Sequence, residues 1–243
     1  MNELPILYRD DGLVVVDKPS GWVVHHGMTR DAIACVDVLG QQLGARVWPV
    51  HRLDRGTSGV LLFALHVDAA RALQALFVDG VVRKRYWAIV RGAPPPEGLI
   101  DHPVPKDEGG ELVAAQTRYR TLETIELAAR VDRRNPESER RQRYSTVAAE
   151  PLTGRFHQIR RHLKHLGHPL IGDANYGRRE HNRVWAERFG LARLALHAES
   201  IELDWRGQRL RVEAPRAIGL DRAWMDATRA AGQRRTEAIP PGG

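Results

Sequence analysis

The chain has 243 residues, 42% hydrophobic and 28% charged, with 37 Lys and Arg against 30 Asp and Glu and a formal net charge of +7. That length suits one or two domains with a real core, and the mix excludes wholesale disorder. The longest apolar run, Val60 to Leu65, is far shorter than the ~20 residues of a membrane helix, and the opening through Asp11 lacks a secretory pattern. The lone Cys35 can build neither an internal disulfide nor a thiolate zinc site. A soluble, cytoplasmic, mildly basic protein is expected.

Short strands are predicted at Pro5 to Tyr8 and at Leu13 to Val16, the second ended by Lys18-Pro19-Ser20-Gly21. Ile33, Val36, Leu39 and Leu43 recur near helical spacing and predict a helix over Ile33 to Leu43. Ser58 to Leu65 is an apolar run of strand length. A helix follows over Ala69 to Val78, with Asp68 placed to cap it, Leu73, Leu76 and Phe77 on its buried face, and Gly80 ending it. Arg83 to Arg91 alternates, setting Arg85, Trp87 and Ile89 opposite Lys84, Tyr86, Ala88 and Val90, which is a strand. Pro94-Pro95-Pro96 is a stiff turn and Lys106 to Gly110 a polar loop.

Strands are expected at Gln116 to Leu122, Ile125 to Val131 and Ser145 to Glu150. Between the last two, Asp132 to Arg143 has no apolar period and reads as a mobile basic loop. Phe156 to Leu166 predicts a second helix, stopped by Gly167 and Pro169. Strands return at Leu194 to Leu203 and Arg209 to Val212, joined by a hairpin through Arg206-Gly207, and residues 232–243 read as a disordered tail. Strands outnumber helices without strict βαβ alternation. This predicts an α+β fold with a mixed, mostly antiparallel sheet, flanking helices and loops. No composition break divides the chain, so one catalytic-type domain over residues 1–231 is expected.

The charge is concentrated. Arg130 to Arg188 holds 14 Lys and Arg against 7 Asp and Glu, an excess equal to the whole net charge. Such a segment suggests a polyanion partner, most simply nucleic acid, and solvated surface charge accounts for it equally.

Three places can carry chemistry. In His51-Arg52-Leu53-Asp54-Arg55-Gly56-Thr57-Ser58-Gly59, Asp54 lies between two cations, which keep a carboxylate ionised and available as nucleophile or base; an ordinary turn aspartate fits as well. In Lys84-Arg85-Tyr86, the tyrosine can offer its ring to a flat ligand and its hydroxyl to a proton, or simply pack in a core. From Thr153 to Lys164, Phe156, Ile159, Leu163 and Leu166 share an apolar face beside a cationic stripe of His157, Arg160, Arg161 and Lys164. That stripe can hold phosphates, neutralise a buried carboxylate, or face solvent. His157, His162, His165 and His168 lack an intervening Glu and the H-E-x-x-H pattern, so no metal site is read; His162 and His165 read as surface histidines. Neither phosphate-loop nor dinucleotide glycine motifs occur, so no nucleotide cofactor is expected.

Taken in order, these segments resemble the RluA-type pseudouridine synthases. His51 to Gly59 matches the signature H-R-L-D-x-x-T-S-G, Lys84-Arg85-Tyr86 matches K-x-Y, and Gly154 to Arg160 matches G-R-x-H-Q-[IL]-R. Gly167 to Asp173, Leu196-His197-Ala198, Ile6 to Asp11 and Asp17 to Gly21 match further family segments, so the resemblance runs from Leu4 to Ala214. Within the family, Gly21 to His25, Phe189-Gly190-Leu191 and Trp224-Met225 are most similar to members that act on tRNA.

The resemblance implies the pseudouridine synthase catalytic fold without a separate N-terminal RNA-binding domain. It also implies a uridine in tRNA, at position 65, as substrate, and a monomer that needs neither metal nor cofactor. It makes Asp54 the nucleophile, at the ribose C1′ or through a glycal. Tyr86 would stack on the base and take part in proton transfer from C5, and Arg160 would pair with the Asp54 carboxylate. Arg52 would fill the space left by the flipped nucleotide, Leu196 would wall the base, and the loop Asp132 to Arg143 would grip RNA outside the active site. A synthase acting on ribosomal RNA, or a non-catalytic RNA binder of the same fold, is the alternative.

Overall fold

The structure is a computed structural model that describes residues 3–26, 32–131, 134–135 and 138–236. In chain order the first elements are β1 (Ile6–Arg9), β2 (Leu13–Lys18), α1 (Cys35–Leu43), β3 (Trp48–Pro49), β4 (Ser58–Ala64) and α2 (Val67–Val78). Next come β5 (Arg83–Arg91), β6 (Glu97–Asp101), β7 (Val104–Pro105), β8 (Leu112–Val113), β9 (Gln116–Ala129) and β10 (Arg140–Pro151). The chain closes with α3 (Gln158–His165), α4 (Arg179–Phe189), β11 (Leu196–Trp205), β12 (Gln208–Glu213) and α5 (Ile218–Thr236). The expected α+β class holds. No helix among the described residues is long and apolar enough to cross a membrane.

The chain folds as two compact units that interleave along the sequence. Unit one comprises Met1–Trp87, Glu150–Gly154 and Leu196–Arg216, and unit two takes Ala88–Ala149, Arg155–Ala195 and Ala217–Gly243. Because the exchange happens inside β5 and β10 and at loop ends, no shift in composition marks it.

In unit one the strand order is β1-β2-β4-β11-β5, with β12 on β11 and β3 on β4. β2 and β4 pair antiparallel from Leu13↔Ala64 to Lys18↔Gly59, while β4 and β11 are parallel through His197↔Ser58. All seven residues of β4 are buried, as its unbroken apolar run requires of a strand covered on both faces. Leu13, Val15, Leu62 and Leu203 pack with Leu73 of α2, each such side chain contributing about 2 kcal/mol by leaving water. Gly59 has φ of +105°, and a Cβ there would lie 2.2 Å from the Ala198 carbonyl oxygen, so this strand crossing admits only glycine.

The cap of α2 differs from expectation. His66, not Asp68, accepts the Ala69 N–H at 3.2 Å, so the helix starts two residues early. The hairpin between β11 and β12 turns at Arg206-Gly207 with φ of 52° and 80°, the positive values a tight two-residue connection demands.

In unit two the order is β5-β10-β9-β6, with a separate pair β7-β8. β9 continues through the expected break at Glu123-Thr124. Its burial alternation lapses over Leu122 to Thr124, all exposed, but the strand continues: Glu123 Oε2 accepts the Trp224 indole N–H at 2.7 Å, and Thr124 Oγ1 meets Ser145 Oγ at 2.8 Å. Arg140 to Arg143 belong to β10 rather than to a loop. Arg141 Nη1 donates to Glu126 Oε1 at 2.6 Å, so polar cross-strand pairs replace an apolar period. Residues 132, 133, 136 and 137 of that expected loop lie outside the described residues.

Two helices carry no strong periodicity and were not expected. α4 buries only His181, Val184 and Trp185, and α5 brings Trp224 parallel to Trp185 at 6.1 Å between ring centroids. α5 carries residues 232–236 of the expected tail in helix, and residues 237–243 lie outside the described residues.

Several histidines are buried in neutral form. Burial holds His51 down to about 3, with the Lys84 charge adding to it, and holds His181 down to about 4. Unfolded, both titrate near 6.5, so between pH 6.5 and about 4 the unfolded chain binds protons that the folded chain refuses. Stability should therefore fall as pH is lowered through this window. The urea midpoint is expected to be clearly lower near pH 5 than near pH 7.5, and equal midpoints would show that these rings are protonated in the fold.

Candidate active site

In unit one the segment His51 to Gly59 leads into β4 as a tight loop. The Thr57 N–H donates to the Asp54 carbonyl at 3.0 Å, closing a turn that leaves the Asp54 side chain half-buried. The segment Lys18 to Trp22 fastens this turn. Gly21 N–H donates to Arg55 O at 2.7 Å, Arg55 Nε returns to Gly21 O at 3.0 Å, and Ser20 Oγ donates to Gly56 O at 2.7 Å. Beneath them the fully buried Lys18 ammonium donates to the carbonyls of Trp22 (2.7 Å), Pro19 (2.9 Å) and Arg55 (3.4 Å). Polar loop backbone is thus satisfied from inside by a cation.

His51 anchors the start of the segment. Its Nε2 accepts the Leu62 N–H at 3.0 Å and its ring stacks on Phe77 at 4.9 Å. Since Nε2 accepts and the ring is neutral, the proton sits on Nδ1. Arg52 is exposed and Leu53 is buried, so Arg52 points to solvent from the residue pair before Asp54.

Tyr86 is buried on the Lys84 face of β5, 9% exposed. Burial pushes its phenol well above the ordinary range, and the nearby Asp54 carboxylate pushes it further. Asp54 and Tyr86 thus lie in the same unit, near enough for the Asp54 charge to bear on the phenol, and the tyrosine is a neutral hydroxyl. Leu196, the first residue of β11, is buried at the start of the segment where Ser58 Oγ and His197 Nδ1 meet at 2.8 Å.

In unit two Arg160 lies on α3 and is 8% exposed, so it does not belong to a solvated stripe. Its Nε and Nη2 form a fork on Asp173, at 2.8 Å to Oδ2 and 2.9 Å to Oδ1. Burial drives the Asp173 carboxyl up, but the Arg160 hydrogen bonds and the N–H groups of Tyr176 and Asn175 outweigh it and hold it below the usual range. One partner of Arg160 is thus Asp173, thirteen residues on in a segment the sequence marked only as a family match. The Arg160 and Arg161 guanidinium carbons lie 5.1 and 4.9 Å from the Tyr176 ring centroid. His157 starts α3 in the left-handed region at φ of 52° and meets Tyr176 Oη at 3.1 Å.

The remaining histidines of that stretch have structural partners. His162 is fully buried, against the expectation of a surface residue, between Thr117 Oγ1 at 2.8 Å and the His102 carbonyl at 2.9 Å. His168 Nδ1 meets Arg91 O at 3.0 Å. Sequence reasoning gave no role to Lys18 or Asp173, both charged residues buried by contacts that no local pattern encodes.

Three findings bear on this arrangement. The sequence profile described as RNA pseudouridylate synthase matches residues 12–165. The chain is 43% identical over 238 residues to tRNA pseudouridine synthase C of Salmonella typhimurium, covering 92% of this chain and 88% of that protein. It is 40% identical over 235 residues to the protein of that name in Pasteurella multocida, covering 92% and 94%. Among solved structures, Human RNA Pseudouridylate Synthase Domain Containing 4 is similar with a TM-score of 0.70 and 26% identity over 92% of both chains. Its relative Domain Containing 1 scores 0.71 with 25% identity, over 91% of this chain and 87% of that one.

Proposed function

This chain belongs to the RNA pseudouridylate synthase family, and on that footing we propose that it isomerises a uridine of tRNA, at position 65, to pseudouridine with Asp54 as nucleophile. The observation that carries this reading is the placement of a half-buried Asp54 carboxylate beside the buried, neutral Tyr86 hydroxyl in one unit. Similarity to proteins named for tRNA supports the substrate class.

Breaking the C1′–N1 bond, turning the uracil and rejoining it through C5 involves no redox change and no net hydrolysis. It needs a carboxylate at C1′ or for a glycal route, a group to handle the C5 proton, and a wall that holds the freed base. Asp54, Tyr86 and Leu196 take these roles. Arg160, held by Asp173, takes the role that the family resemblance gives it, neutralising the Asp54 carboxylate, and exposed Arg52 fills the gap left by the flipped nucleotide. The catalytic domain spans residues 1–231 and acts as a cytoplasmic monomer without metal or nucleotide cofactor.

The test is pseudouridine mapping of all stable RNAs from a strain lacking the gene, paired with tritium release from C5-labelled uridine transcripts. One pseudouridine missing from tRNA and restored by the purified protein is the expected result. A missing pseudouridine in ribosomal RNA instead would move the substrate, and no tritium release from any transcript would leave a non-catalytic RNA binder.

A further inference from the structure

Lys84 stands two residues before Tyr86 on the same face of β5, roughly 7 Å along the strand. It is half-buried. Its ammonium lies 5.9 Å from the Phe77 ring centroid, and a Cβ added to the exposed Gly154 would come within 3.8 Å of Nζ. Among the described residues it has neither an acceptor nor a counter-ion, whereas the neighbouring Arg85 has Glu199 at 2.9 Å. The closest basic neighbour, His51, is held neutral in part by the Lys84 charge. Burial works against that charge, and among the described residues only the Phe77 ring faces it, so the fold bears a partly desolvated cation without a charged partner.

We propose that Lys84 is a phosphate-binding residue for the backbone of the flipped nucleotide, a second anchor beside the base held at Tyr86. This rests on the assignment of the unit-one site to pseudouridine synthesis. A base carbonyl or hydroxyl is neutral and would leave the charge uncompensated, whereas each nucleotide brings one full negative charge on its phosphate. The separation of Lys84 from Tyr86 along the strand is what one nucleotide spans between base and phosphate. The missing side chain at Gly154 leaves the ammonium open to such an anion. Binding would give this half-buried ammonium a charge-assisted hydrogen bond.

The experiment compares wild type, Lys84→Gln and Lys84→Arg on an unmodified tRNA transcript. It repeats the comparison on a stem–loop with a neutral methylphosphonate immediately 5′ or 3′ of the target uridine. Lys84→Gln is expected to raise Kd and KM about tenfold and to flatten the salt dependence of binding by about 0.7 to 0.9 in log–log slope, one phosphate contact. It should melt no lower than wild type, because it removes an unpaired charge, and Lys84→Arg should restore most of the affinity. One of the two methylphosphonates should weaken wild type while leaving Lys84→Gln unaffected. Equal losses for charged and neutral linkages in both proteins, or a fall in melting temperature with an unchanged salt slope, would overturn the proposal. The binding measurements stand apart from turnover. Wild type that binds with this coupling but releases no tritium would refute the synthase reading and leave the phosphate contact intact.

Discussion

Asp54→Asn is expected to abolish pseudouridine formation, with turnover on tRNA down by at least about 10⁴-fold, the scale seen when a covalent nucleophile is removed. The amide keeps the size and most of the hydrogen bonding of the carboxylate but has no anionic oxygen to attack C1′ or to initiate a glycal route, so both routes stop. The backbone carbonyl of Asp54, which closes the turn with the Thr57 N–H, is untouched, and so is the clamp from Lys18 to Trp22. Melting temperature and tRNA affinity should therefore stay near wild type. A single-turnover assay with excess enzyme separates slow chemistry from weak binding, and measurable product in that assay would remove Asp54 from the role of nucleophile.

The second large effect belongs to Arg160. Replacing it with Ala strips the two-pronged hydrogen bond from an Asp173 side chain that has no exposed surface, leaving only the Asn175 and Tyr176 N–H groups as donors. Breaking one side of a buried ion pair costs about 3 to 5 kcal/mol, or on the order of 10 °C in melting temperature for a chain of this size. On the proposed role of Arg160, activity is expected to fall as well.

The pH dependence separates this from general disruption. In wild type the Asp173 carboxyl is held low, so its contribution is complete above its unfolded value of 3.8 and is lost only as pH falls through the still lower folded value. Without Arg160 the buried carboxyl rises, the folded variant takes up a proton more readily, and its deficit against wild type should shrink toward about pH 5. Arg160→Ala combined with Asp173→Asn removes the stranded charge and should recover part of the stability but none of the activity. Recovery of turnover in that double variant would show that Arg160 acts only as a structural partner of Asp173.

Elements with a strong local period were legible in the sequence. β5 occupies the predicted Arg83 to Arg91, and the two-residue turn at Arg206-Gly207 joins its strands as read. What escaped detection is stabilised at a distance. α4 and α5 meet through Trp185 and Trp224, and β9 stays whole because Glu123 finds the Trp224 indole one hundred residues away in sequence.

The site divides in the same way. Asp54 and Tyr86 could be singled out because short motifs surround them, although spacing alone left each open to a structural reading. The cationic stripe around Arg160 left room for a buried carboxylate, but not for this one, because Asp173 lies beyond the helix that bears the arginine. A carboxylate thirteen residues away has no signature in amphipathic periodicity. Nor does a lysine such as Lys18, which meets three main-chain oxygens, one of them thirty-seven residues away.

That lysine bears on how the enzyme meets its substrate. With its head group enclosed by three peptide oxygens, the hairpin bend bearing the reactive acid cannot drift without exposing those oxygens or dragging a solvent-starved ion outward. On the proposed role of Asp54, this bend would enter the encounter already shaped, and the distortion would fall to the nucleic acid, whose helix would have to yield a nucleotide.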